Sequence, residues 1–361
     1  MSVARDYAGM LKPYKMSYAV GIVGATGVTG EVTLRVLQQR AFPVRDLRLF
    51  ASQRSVGQSI HWNGCDYPVE VLEDGRFSGL DLVISATSAA LSREWTPRIV
   101  SAGAIVIDQS SAFRFDPTVP LVVPEINRGD IAGHHGIIAG PNCTAAVAVM
   151  AVAPLQREIG VEAVISSSYQ AMSGGGRDGI AEFLDLSRKA VDQPEALRGH
   201  EPLALAVPLQ FPRIPAFNLF PHCEAFQEGS EVSEEEQKME PEMRKMLHAP
   251  ELLVHATAVR VPVVVGHSVS LALRLRRATT PEQARNILAA FPGLRVVDQP
   301  WTRAYPTPLD AAGIVEVLVG RVRNVAALEN GLSLFASGDN LRKGNALNAV
   351  QTAECVFGIA R

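Results

Sequence analysis

The apolar run Ala19-Val20-Gly21-Ile22-Val23 leads at once into Gly24-Ala25-Thr26-Gly27-Val28-Thr29-Gly30. Glu31 to Arg40 follows, with Val32, Val36 and Leu37 on one helical face. This strand, glycine turn and helix constrain the fold more than any other stretch. A buried strand that turns tightly into a helix returns as the next parallel strand of a crossover sheet. Leu47 to Phe50, Leu82 to Ser85 and Ile105 to Ile107 supply further short apolar strands. The expected class is α/β, a Rossmann-like doubly wound parallel sheet. The glycine spacing also lets backbone amides at the helix start approach a pyrophosphate, which makes Gly24, Thr26, Gly27, Val28 and Gly30 candidate dinucleotide contacts.

The second strand ends in Ala51-Ser52-Gln53-Arg54-Ser55-Val56-Gly57. An NAD site would place a carboxylate there for the ribose 2′-hydroxyl. Two hydroxyls and a cation without an acid suit a 2′-phosphate, so Ser52, Arg54 and Ser55 point to NADP.

The pattern changes beyond Cys143. Longer strands are expected at Val161 to Tyr169, Val254 to Val264, Ser268 to Leu275 and Gly313 to Val322, with a proline-punctuated loop from Pro194 to Pro215 between them. They imply an α+β domain with a mixed sheet. Asp339 to Ala360 reads as a closing helix with Ala346, Val350, Ala353 and Phe357 in register. The domain reading is therefore residues 17–143 plus 339–361 for the nucleotide, 144–338 for substrate and dimerisation, and 1–16 as an extension.

With 361 residues, 47% of them hydrophobic, the chain can bury a large core. A net charge of -3 and scattered cations give no footprint for nucleic acid or an anionic membrane. No apolar stretch is long enough to span a bilayer, and the first sixteen residues lack the apolar core of a secretory signal. Four cysteines without paired or metal-like spacing suit a reducing cytoplasm and give no reason to expect a metal.

One of those cysteines stands apart. In Gly140-Pro141-Asn142-Cys143-Thr144, Pro141 and Asn142 resist helix while the apolar residues after Thr144 accept it. The thiol then sits at a helix N-terminus, where partial positive charge favours the reactive thiolate. A hydride cofactor and such a cysteine together imply thioester chemistry at an acyl carbon.

Further segments fall in order: Ile107-Asp-Gln-Ser-Ser-Ala-Phe-Arg114, Pro124-Glu-Ile-Asn127, Tyr169-Gln-Ala-Met-Ser-Gly174, Val259-Arg-Val-Pro-Val-Val-Val-Gly-His267 and Asp339-Asn-Leu-Arg-Lys-Gly344. With Gly-Pro-Asn-Cys143 they resemble the aspartate-β-semialdehyde dehydrogenase family from about Tyr18 to the C-terminus. The resemblance implies Cys143 as nucleophile, Gln170 as the residue orienting the acyl group, and His267 as general acid/base. It implies Arg260 for the substrate α-carboxylate, Arg114 and Lys238 for phosphate, Glu235 for the substrate ammonium and Asn142 at the substrate. Ser85 and Asn340 join the cofactor set. The implied reaction is NADPH-dependent reductive dephosphorylation of L-aspartyl-4-phosphate, on the route to lysine, threonine and methionine, by a cytoplasmic homodimer or homotetramer.

Two alternatives remain: a reductase of N-acetylglutamyl phosphate, which has less use for Glu235, and a non-catalytic NADP-binding paralogue. The chain departs from the family pattern at Gly140, where asparagine is usual, at Gln109 within the usual Asp-Asn-Ser-Ser, and at Thr87 and Ser88 in place of glycines.

Overall fold

The computed structural model describes residues 15–359, so most of the 1–16 extension and Ala360 lie outside the described residues. Two compact units emerge. Of the described residues, the first holds those up to Asn142, Lys245–His248 and those from Gly344; the second holds Cys143–Arg244 and Ala249–Lys343.

The first unit is built on β1 (Tyr18–Val23), β2 (Val44–Ala51), β3 (Ser59–Trp62), β4 (Cys65–Val71), β5 (Leu82–Ser85), β6 (Ile105–Asp108) and β7 (Ile137–Ala139), in the order β3-β4-β2-β1-β5-β6-β7. All neighbours run parallel except β3 and β4, which form a hairpin. Strands β1, β5 and β6 are buried throughout, as expected of a parallel sheet covered on both faces. Alternation assigns their side chains to two cores. Val20, Ile22, Leu82, Ile84 and Ile107 enter one, and Ala19, Val23, Val83 and Val106 enter the other. The doubly wound α/β expectation holds.

The closing helix is shorter than its sequence pattern implied, running from Leu347 to Val356. Asp339 instead accepts hydrogen bonds from the amides of Leu341 and Arg342, and Arg342–Ala346 forms a π turn before the helix. Leu347, Val350, Ala353 and Phe357 pack with Tyr18, Val20 and Leu34 in the first core.

The second unit carries β8 (Val161–Gln170), β9 (Leu253–Arg260), β10 (His267–Leu275), β11 (Leu294–Val296), β12 (Val317–Val325) and β13 (Gly331–Gly338), in the order β11-β12-β13-β10-β8-β9. Strand β9 stops at Arg260 rather than Val264, because Pro262 has no amide to donate and Gly266 turns with φ +101°. The helix Cys143–Glu158 is buried from Thr144 through Leu155, which explains its unbroken apolar sequence.

Direction in this mixed sheet places the site. Strands β8 and β9 are parallel and end in register at Gln170 and Arg260. Strand β10 runs antiparallel to β8 and to β13, so His267 begins at that same edge and Gly338 ends there.

Candidate active site

In the first unit, the glycine turn borders a cavity of about 450 Å³ lined by Gly24, Thr26, Gly27, Ser52, Gln53 and Thr87, with Leu72, Leu91 and Trp95 on its apolar side. Gly24 has φ +83°, and a Cβ there would lie 2.2 Å from the Ala86 carbonyl oxygen. A Cβ on Gly30 would lie 2.4 Å from the Gly24 carbonyl oxygen, so both positions require glycine. Gly27 starts the helix Val28–Gln39 without a side-chain cap, which leaves amides there for an anion.

This cradle fits a dinucleotide. Ser55 Oγ lies 3.2 Å from Thr26 Oγ1, tying the loop after β2 to the glycine turn, while Arg54 is exposed on that loop. Ser85 is buried with its hydroxyl 3.2 Å from that of Ser92 and is not among the lining residues.

The second unit gathers the other candidate residues at one end of its sheet. Cys143 begins its helix, and its Sγ lies 3.3 Å from His267 Nε2. The other face of that imidazole is fixed, because the Ala171 amide donates to Nδ1 at 3.1 Å. Burial first, then the Arg260 cation, push His267 well below the ordinary imidazole value. By contrast, burial pushes the nearby Cys223 thiol up to about 12, which marks it as inert.

Gln170 Nε2 donates to Glu235 Oε1 at 2.9 Å and to Ser168 Oγ at 3.2 Å. Both amide hydrogens are then committed, and Oε1 remains for a ligand. Glu235 lies on the helix Glu234–Leu247, whose start is fixed by Ser233 and Glu236 bonding each other's amides. Its Oε1 also accepts from Thr144 Oγ1 at 3.2 Å. Burial and the charge of Glu224 lift the Glu235 carboxyl above the usual range, while Lys238 and the Gln170 hydrogen bond pull it back. Lys238 itself pairs with Glu224.

Arg260 is buried. Its Nη1 donates to the Ala171 carbonyl at 2.7 Å, and its Nε has no partner among the described residues. A buried guanidinium with an unused N–H is suited to a carboxylate. Gly174 makes room for it, since a Cβ there would lie 2.6 Å from Nη1.

Two expected residues have structural tasks visible in the fold. Asn340 Oδ1 accepts from the Gly266 amide at 2.9 Å and its Nδ2 donates to Ser173 Oγ at 2.9 Å, so it braces the residue before His267. In the first unit, Arg114 donates from Nε to the Gly140 carbonyl and from Nη2 to the Gln109 carbonyl. Asn142, buried, is the last residue of that unit's first stretch. The Arg114 segment is clamped by Lys245 Nζ, which donates to the carbonyls of Arg114, Asp116 and Val119 at 2.9, 2.7 and 2.8 Å.

Sequence reasoning passed over Ala171, Ser168, Ser173, Thr144 and Lys245. The first three lie in or beside the Tyr169 to Gly174 segment, whose match in order was the available signal. Lys245 carried none.

Comparison with known proteins identifies the family. Residues 19–134 match the model of a semialdehyde dehydrogenase NAD binding domain, and residues 152–343 match a semialdehyde dehydrogenase dimerisation domain. An aspartate-semialdehyde dehydrogenase of Aquifex aeolicus is 41% identical, covering 94% of this chain and 98% of its own. One from Mycolicibacterium smegmatis is 44% identical, covering 93% and 97%. The solved aspartate semialdehyde dehydrogenase II of Vibrio cholerae, complexed with ASA, superposes with a TM-score of 0.89 at 35% identity, covering 96% of this chain and all of that one. The chain belongs to the aspartate-semialdehyde dehydrogenase family.

Proposed function

We propose that this chain is an NADPH-dependent aspartate-semialdehyde dehydrogenase, converting L-aspartyl-4-phosphate to L-aspartate-4-semialdehyde through a thioester on Cys143. The observation that carries this reading is the pairing of Cys143 Sγ with His267 Nε2 at a helix start, with Glu235 bonded to Thr144 and Gln170, and Arg260 bonded to the carbonyl of Ala171, whose amide meets His267. The helix terminus and the ring nitrogen both favour negative charge on sulfur, which makes it a nucleophile. Arg260 takes the α-carboxylate on its unused N–H, and the Glu235 carboxylate with Gln170 Oε1 suits the substrate ammonium. Arg114, with Lys238, serves the phosphate.

The glycine turn from Gly24 to Gly30 holds the pyrophosphate and Ser52 to Ser55 the 2′-phosphate. NADPH, when bound, supplies the hydride that turns the thioester into the aldehyde. Exposed Ile165, Tyr169 and Leu253 on the open face of the six-stranded sheet support a homodimer through that face.

The decisive assay follows NADP reduction with aspartate semialdehyde and phosphate, beside the N-acetylated glutamate semialdehyde. Turnover of the first alone is expected. Preference for the acetylated substrate would give the enzyme to the other acyl phosphate, and turnover of neither would leave an inactive paralogue. Cys143→Ser is expected to fold and bind NADP yet lose several orders of magnitude in rate, since an alkoxide forms far less readily than a thiolate.

A further inference from the structure

Residues 220–225 link two elements that carry charged site residues. At one end Phe220 and Arg260 exchange backbone hydrogen bonds of 3.1 and 2.9 Å where β9 finishes. At the other the Ala225 carbonyl accepts from the Glu234 amide at 2.9 Å, and Phe226 bridges Ser233 at the start of the helix Glu234–Leu247. Cys223, between these anchors, is buried. Held in this way, Glu224 takes φ +59°, a left-handed conformation that is costly for a residue other than glycine.

The Glu224 carboxylate meets the Lys238 ammonium in the second turn of that helix. The lysine side chain is 13% exposed and the glutamate side chain 43%, so the carboxylate stands on the solvent side of a largely buried cation. An ammonium offers three donors, which serve a carboxylate or a phosphate oxygen alike. Lys238 thus has its charge answered by a carboxylate of the chain itself, on the side from which an anion would approach. Glu235 stands close to both, because Glu224 raises its carboxyl value and Lys238 lowers it. An exposed ion pair adds little stability, and glycine would meet the same φ without strain. A glutamate at this position is explained by what it does to Lys238.

We propose that Glu224 is a positioning residue for phosphate: its carboxylate holds the Lys238 ammonium in the phosphate-free enzyme and is displaced when phosphate, or the phosphoryl group of the substrate, binds there. This rests on the assignment of Lys238 to phosphate above. The resident carboxylate keeps the long lysine side chain ordered between turnovers, so less rotamer freedom is lost when phosphate arrives. It also competes with the incoming anion and repels it, so phosphate is held loosely and departs once the thioester has formed.

The test is calorimetric titration of the full-length protein with inorganic phosphate, with NADP present and semialdehyde absent. Glu224→Gln keeps the length of the side chain and removes its charge. Glu224→Gly suits the left-handed backbone and removes the side chain altogether. Both variants are expected to bind phosphate about three- to tenfold more tightly than wild type, since competition and like-charge repulsion are lost together. A purely structural pair would give the opposite sign, because a disordered lysine captures anions less well. Unchanged or weaker binding in either variant would overturn the proposal. Phosphate binding by none of the three proteins would overturn it too, while the semialdehyde assay above would judge the reaction by itself. Where turnover is present, both variants should lower KM for phosphate more than KM for semialdehyde, and equal changes in the two constants would remove Glu224 from the phosphate site.

Discussion

At the residue scale two of the departures from the family pattern, Gly140 and Gln109, explain each other. A Cβ on Gly140 would lie 2.4 Å from Gln109 Oε1, so the longer side chain at 109 occupies the space that the smaller residue at 140 vacates. Gly140→Asn alone is therefore expected to destabilise by about 1–3 kcal/mol through overpacking. Adding Gln109→Asn, which shortens the neighbour, should recover much of it. Thermal melts of the four members of this double-mutant cycle read the coupling, and additive effects would show that the two positions are independent. Glu235 shows a different tension. Its raised carboxyl value means that the folded state holds a proton more readily than the unfolded chain does. Stability then declines as pH rises from the unfolded value, about 4.3, through the folded one, and the penalty is complete above it. Glu235→Gln should raise stability at pH 7.5 by on the order of 1 kcal/mol, with the gain fading toward pH 4, while turnover collapses. Urea midpoints across pH, measured beside kcat, check both halves.

At the scale of elements, the loop after β2 should decide the nucleotide. Arg54 is exposed there, and Ser55 is held against the glycine turn through Thr26. Loss of one charge-assisted contact by Arg54→Ala should cost about 1.5–3 kcal/mol of NADP binding and little of NAD binding. Titration with each nucleotide measures it, and equal losses for both would remove Arg54 from the 2′-phosphate. Elements with a strong period were legible: β1, its glycine turn, the helix beyond it and the apolar helix at Cys143 follow from local sequence. The β3–β4 hairpin was not, because Ser59–Trp62 and Cys65–Val71 mix polar and apolar residues at a sheet edge. The π turn before Leu347 escaped because Asp339, which reads in sequence as the start of the closing helix, instead accepts from the Leu341 and Arg342 amides in a turn before it. Cys143 was legible from the helix start after Pro141 and Asn142, whereas Gln170, Arg260 and His267 were named from motif order. The Ala171 amide that fixes the imidazole, and the Gly140–Gln109 fit, depend on which backbone meets which side chain, and no spacing encodes that.

For the whole molecule, the chemistry depends on a mixed sheet bringing strand ends and strand starts to one edge, and on charged groups being buried there. Such burial shapes the pH dependence of stability. His267 resists protonation in the fold, whereas the unfolded chain protonates the same imidazole below about pH 6.5. Below that pH the unfolded state binds the additional proton, so stability falls as pH falls, until the folded ring itself titrates well below the ordinary value. A single such group contributes a slope of about 1.4 kcal/mol per pH unit in that window. Glu235 acts in the opposite sense, gaining stability as pH falls through its raised folded value, and the other histidines add their own terms. Comparing wild type with His267→Gln cancels these shared contributions, because glutamine does not titrate. Moving from pH 7.5 to 5.5 should cost wild type about 1.4 kcal/mol more than the variant, read from urea midpoints of the full-length protein. An equal loss in both would mean that the imidazole gains its proton in the folded state as readily as in the unfolded chain, which the Ala171 hydrogen bond opposes.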